Sequence, residues 1–226
     1  MAFKPIPIQA FALLFVVAGA TDALIYRHSR DLLAVYMTGN TSHVGQHLAT
    51  QDWLGALPLL AVIATFFGAT VAAAWIGNRV GPWRATCVML ITAGLIGVAA
   101  PIAINDGYSL ATVLWIAAGM GALNQVSAKE SGVTFLTGTL VRTGRALAAG
   151  DWLAGRDGLM RWVALVVGAA IATLLDEWIA ERSLLFIVAA LLLGAALTAW
   201  NALAHRQTAR LHAIATASAA DSHAGC

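Results

Sequence analysis

The chain has 226 residues, of which 60% are apolar and 11% charged, more apolar surface than a soluble fold of this size can hide, so lipid is read as its main solvent. A formal net charge of +2, with no basic run interleaved with aromatic residues, excludes a nucleic-acid partner. Two cysteines, Cys87 and Cys226, make neither a disulfide framework nor a metal-type pair.

Six stretches approach the roughly 20 apolar residues that cross a hydrocarbon core. The first, residues 8–25, has only Lys4 before it and no cleavage pattern of small residues after it, so it is read as a span and not as a secretion signal. Residues 31–50 follow, too polar to face lipid yet containing Leu33, Ala34, Val35, Tyr36 and Met37. Spans are predicted at 54–76, 85–104 and 108–126. A second mixed segment, 129–149, carries Val133, Phe135 and Leu136, and spans are predicted again at 162–179 and 183–203. The tail, 205–226, is rich in Ala, Ser and Thr and is expected to extend the last helix briefly and then become disordered.

Charge orients these spans. With the amino terminus in the cytoplasm, ten Lys and Arg residues fall inside and three, Arg27, Arg30 and Arg182, outside. Counting 33–49 and 132–148 as complete spans instead gives five inside to six outside and puts Arg142 and Arg145 in the membrane. Six spans with both termini cytoplasmic is therefore the reading. Seven of the eight tryptophans, among them Trp53, Trp152 and Trp178, lie near predicted span ends, where the ring suits the headgroup boundary.

The chain also repeats itself. Residues 37–54, MTGNTSHVGQHLATQDWL, align with 136–153, LTGTLVRTGRALAAGDWL, at eight identical positions of eighteen without a gap. Upstream, Gly19, Ala20 and Asp22 match Gly121, Ala122 and Asn124 after a three-residue gap. Downstream, Gly68, Ala69 and Ala72 are matched with Gly168, Ala169 and Ala172. Each half, 1–104 and 105–204, then holds three spans and one Thr-Gly segment. Two copies of an odd-span unit in one chain face opposite ways, the inverted arrangement found in many secondary transporters. The expected fold is an all-α integral membrane protein with six transmembrane helices in two inverted repeats, each with a re-entrant or broken Thr-Gly segment.

Non-helical backbone at membrane depth is tolerated only where protein or a watery cavity covers it. Gly39 and Gly138 would let the backbone leave helical geometry. Thr38, Asn40, Thr137 or Thr139 would cap the new helix, whose free N–H groups favour an anionic or strongly polar ligand. Thr and Gly also serve as helix-packing residues, and Asp22, near a span end, can equally be a carboxylate reaching for water; its pairing with Asn124 draws both into the candidate site. The two Thr-Gly turns, entering from opposite sides, are expected to approach each other near the membrane centre. His43 and His47, four apart, share a helix face but lack further ligands, so neither a metal nor any cofactor is called for. No Gly-Lys-Ser/Thr phosphate loop occurs, which argues against nucleotide-driven pumping.

The strings GATDALIY, VYMTGNTSHVG, GMGALNQ and TFLTGTLVRTG resemble the YoaK-like family of uncharacterised bacterial membrane proteins, over roughly residues 11–203. The resemblance implies a multi-pass protein of the bacterial inner membrane and no particular activity. The functional expectation is a small secondary transporter or permease for a small polar or anionic solute, which would meet Asp22, Thr38, Gly39, Asn40, Asn124, Thr137, Gly138 and Thr139. The alternatives are a membrane enzyme using His43, His47, Lys129 and Glu130, and a structural subunit of a membrane complex. Apart from the lipid bilayer no partner is specified, and a homo-oligomer stays open.

Overall fold

The computed structural model describes residues 8–29, 32–128 and 132–224. They form eight α-helices: α1 Ile8–His28, α2 Met37–Ala49, α3 Trp53–Val80, α4 Arg84–Asp106, α5 Leu110–Leu123, α6 Leu136–Ala148, α7 Trp152–Ile179 and α8 Ser183–Ala224. Single 3-10 turns, Gly81–Trp83 and Ala180–Arg182, join α3 to α4 and α7 to α8. The continuous helical stretches Trp53–Asp106 and Trp152–Ala204 are long and apolar enough to cross a membrane.

The repeated Asp-Trp-Leu is a helix start. Asp52 accepts a hydrogen bond from the Gly55 N–H at 3.0 Å, and Asp151 accepts one from Ala154 at 3.0 Å, so each carboxylate satisfies a donor that its helix leaves free. From there α3 and α7 both run for 28 residues. The starts are 152 − 53 = 99 positions apart, and the 3-10 turns at 81 and 180 and the next helices at 84 and 183 keep that spacing. This corrects the downstream register expected from sequence, because at a spacing of 99 Gly168 corresponds to Ala69 and not to Gly68. Their surroundings agree: Gly68 is exposed with nothing near it, whereas Gly168 is buried against the Val16 carbonyl. In so alanine- and glycine-rich a chain, a small-residue match one position out of register arises easily.

Polar contacts fix the helix directions. His28, the last residue of α1, bonds Asp176 near the end of α7, which also accepts from Ser183 at the start of α8. His28 stacks on Tyr108, just before α5. At the other end of the bundle Arg84, which opens α4, donates to Asn78 near the end of α3 and to the Gln125 carbonyl just after α5. Thr86 of α4 meets Thr198 of α8 near that same end. These six helices thus alternate, α1, α4 and α7 running one way and α3, α5 and α8 the other. α1 lies along α7, α3 lies along α5, and α4 packs on α8.

The two parallel pairs approach closely at glycines. A side chain at Gly19 would run into the Leu165 carbonyl, and one at Gly121 into that of Phe66. The buried core lies between helices, with Leu14, Leu24, Met89, Ile96, Met120 and Ile187 all 2% exposed or less. Outward the surface carries large apolar residues: Leu54 is 81% exposed, Leu153 73% and Trp178 86%, the kind of surface that marks a membrane or protein contact.

Two further expectations change. The span predicted at 108–126 is helical only over Leu110–Leu123, 14 residues. Gly107, at φ 67°, breaks the chain before it, and at its other end the Asn124 amide bonds back to the Met120 carbonyl. The last helix continues to Ala224, through the tail expected to be disordered, in keeping with the high helix propensity of alanine.

Candidate functional site

After α1 the chain leaves helical geometry, and residues 32–36 run into the core without regular structure; Ala34 and Val35 are buried there. α2 starts among these residues. Its cap position is Tyr36, with no side-chain cap bond, and the corresponding position before α6 is Phe135, also without one. The expectation that Thr38, Asn40, Thr137 or Thr139 caps these helices is thereby corrected. The helical ladder begins earlier, with the Asn40 N–H already bonded to the Tyr36 carbonyl and the Thr139 N–H to that of Phe135. Gly39 and Gly138 likewise lie inside the first turn and are not among the positive-φ glycines. What they provide is room: a side chain at Gly39 would come within 2.9 Å of Leu33 Cδ1, and one at Gly138 would run into the Phe135 ring.

Each half ties down its entering segment differently. In the first, buried Asn40 donates to the Leu33 carbonyl at 2.6 Å and accepts from the Leu33 N–H at 3.1 Å. In the second, the work falls to Asn124. Its Nδ2 donates to the Met120 carbonyl at 3.0 Å and to the Thr134 hydroxyl at 2.9 Å, and its Oδ1 accepts from the Thr134 N–H at 3.0 Å. Thr139 is buried, its hydroxyl bonded to the Phe135 carbonyl, while Thr38 and Thr137 are exposed.

Asp22, the counterpart of Asn124, has no such role. Its Oδ1 is sealed from solvent and has no hydrogen-bond partner. An electrostatic interaction links Asp22 to Tyr36, the residue that precedes α2. Asp22, Thr38, Gly39 and Asn40 therefore belong to one locality, and Asn124, Thr137, Gly138 and Thr139 to another. Among the described residues no hydrogen bond or ion pair links the two. α2 packs chiefly on α3 and α6 on α7.

His47 is engaged at the α2–α3 turn, its Nδ1 2.8 Å from Asp52 Oδ2. The Asp52 carboxyl is held below its ordinary range first by the Gly55 N–H and then by His47. Lys129 and Glu130, the other groups of the enzyme alternative, lie outside the described residues.

Two polar clusters escaped the sequence reading. At one end Asp176, its side chain 3% exposed, accepts from Arg27 Nε at 3.0 Å, His28 Nε2 at 2.9 Å and Ser183 Oγ at 3.3 Å. At the other, buried Arg84 donates through Nε to the Gln125 carbonyl at 2.7 Å and through a terminal nitrogen to Asn78 Oδ1 at 2.8 Å. The clusters occupy equivalent places, since 176 − 77 and 183 − 84 are both 99: Asp176 stands where the first half has Gly77, and Arg84 where the second has Ser183. The guanidinium fills the room that Gly77 leaves, its Cζ 3.0 Å from where a Cβ would be. An aspartate inside the predicted span 162–179 was the available signal for the first cluster.

A family model described as "Protein of unknown function (DUF1275)" matches residues 10–199. No curated protein and no solved structure matches the chain, so the YoaK-like likeness rests on the quoted strings alone.

Proposed function

We propose, for a chain that belongs to the DUF1275 family of proteins of unknown function, that it is a six-span secondary transporter or permease of the bacterial inner membrane, both termini cytoplasmic, moving a small polar or anionic solute. One observation carries this reading: in the first half a non-helical segment buries Ala34 and Val35 in the core and leads directly into the short helix α2, and the second half has its counterpart at Val133, which is buried just ahead of α6. Such discontinuities place free N–H groups and turns of backbone where a solute can replace water.

The alternation of helix directions supports two halves of opposite orientation, the first Thr-Gly segment entering from one end and the second from the other. The clusters around Asp176 and Arg84 support a closure at each end, which a carrier open to one side at a time requires. The ligand-facing groups are then Asp22, Thr38, Gly39 and Asn40 in one half and Asn124, Thr137, Gly138 and Thr139 in the other. Purified protein in liposomes, offered a panel of labelled small polar and anionic solutes, is expected to give saturable uptake of at least one of them, lost in Asn40→Ala. No uptake across the panel by protein that is folded and inserted overturns the reading.

A further inference from the structure

The duplication supplies an internal control for Asp22. At the matched position, Asn124 closes every bond its amide can make with Met120 and Thr134, and so pins the segment ahead of α6. An aspartate has no N–H to give to the carbonyl one turn back. At the place of Thr134 the first half has Val35 (134 − 99 = 35), which offers no hydroxyl. The pinning is done there by Asn40 and Leu33 instead. Asp22 is thus relieved of the structural task of its counterpart, yet it places an acidic oxygen where neither water nor a protein donor reaches it. Asp22 as a residue is only partly buried, but its Oδ1 stays without water or a donor, and a carboxylate oxygen left so unanswered carries a cost that an alanine or threonine would avoid. A charge supplied from outside the protein would remove it.

We propose that Asp22 is a cation-binding carboxylate, completed by a monovalent cation taken from solution, a proton or an alkali ion, and that the site exists in the first half only. The binding claim stands on the surroundings of Asp22. That the bound cation is coupled to an anionic solute rests on the permease reading, in which cation and solute arrive at the start of α2 together and cross as a nearly neutral pair. No bond other than the ionic contact or the O–H is formed.

The test uses full-length protein in lipid nanodiscs and infrared difference spectroscopy of carboxyl groups. One arm steps the pH in sodium-free buffer; the other exchanges choline for sodium at constant pH. The expected result is a carboxyl signal in one arm that vanishes in Asp22→Asn. Response to pH alone identifies the proton, and response to sodium identifies the alkali ion. If Asp22→Asn does not fold, Asp22→Glu serves, and a displaced band supports the site. Identical spectra from wild type and variant in both arms overturn it. A cation signal at Asp22 without uptake of any solute would leave the site standing and remove only the permease reading.

Discussion

Ala180 sits at φ 46° and ψ −131°, a backbone region open in practice to glycine alone, and its counterpart 99 positions earlier is Gly81 at φ 55° and ψ −115°. The same exchange recurs at the other pair of turns, where Gln51 at φ 60° corresponds to Gly150 at φ 77°. Strain of this kind is worth about 1–3 kcal/mol per residue. Ala180→Gly is accordingly expected to raise stability by about 1 kcal/mol, read as a higher thermal midpoint in detergent, and an unchanged or lower midpoint would contradict the strained geometry. Asp52 gives a pH dependence of known sign. Its folded pKa lies below the unfolded value, so its contribution is present above the ordinary carboxylate range and is lost as pH falls through the folded value. The difference in thermal midpoint between wild type and Asp52→Ala should shrink on acidification below about pH 4, and a difference that stays constant would show that the carboxylate charge does not act.

At the scale of elements, the parallel pair α1 and α7 depends on backbone approach. Gly19→Leu is expected to destabilise by about 1–3 kcal/mol or to block assembly, because the carbonyl it meets belongs to a helix and cannot move aside. Gly45→Leu, at an exposed position with open space around it, is the control and should be tolerated. Equal thermal stability of the two variants would argue against the close crossing. The helix starts can be tested similarly: Asp151→Ala removes the cap of α7 and should cost about 1 kcal/mol, measured by thermal unfolding.

For the whole molecule, the proposed opposition of the two halves predicts the sidedness of equivalent turns. Thr50 and Ala149, 99 positions apart, are both exposed at the ends of α2 and α6. In a variant lacking Cys87 and Cys226, Thr50→Cys should react with a membrane-impermeant thiol reagent from outside intact cells. Ala149→Cys should react only after the membrane is opened. Labelling of both from the same side is incompatible with inverted halves, whatever solute the protein moves.

Most of the helical framework was legible in the sequence because apolar length and composition are local properties: runs of apolar residues and the repeated Thr-Gly and Asp-Trp-Leu strings locate most helix ends to within a few residues, although α7 begins at Trp152, ten residues before the predicted span at 162, and α8 runs past 203 to Ala224. Where local signals compete, the chain alone misleads. The first turns of α2 and α6 begin at Met37 and Leu136, ahead of the residues that looked like caps, since a backbone ladder can start on any residue whose carbonyl is already in place. The downstream register and the length of α5 depended likewise on which glycine meets a neighbouring carbonyl and on where Asn124 turns its amide. The pairing of α1 with α7 and of α3 with α5, the burial of Asp176 and Arg84 at equivalent places, and the contrast between a fully bonded Asn124 and an unanswered Asp22 join residues tens to more than a hundred positions apart. Contacts at that separation leave no periodic trace in a single chain, so they follow from packing, while the helices that pack follow from the order of apolar and polar residues.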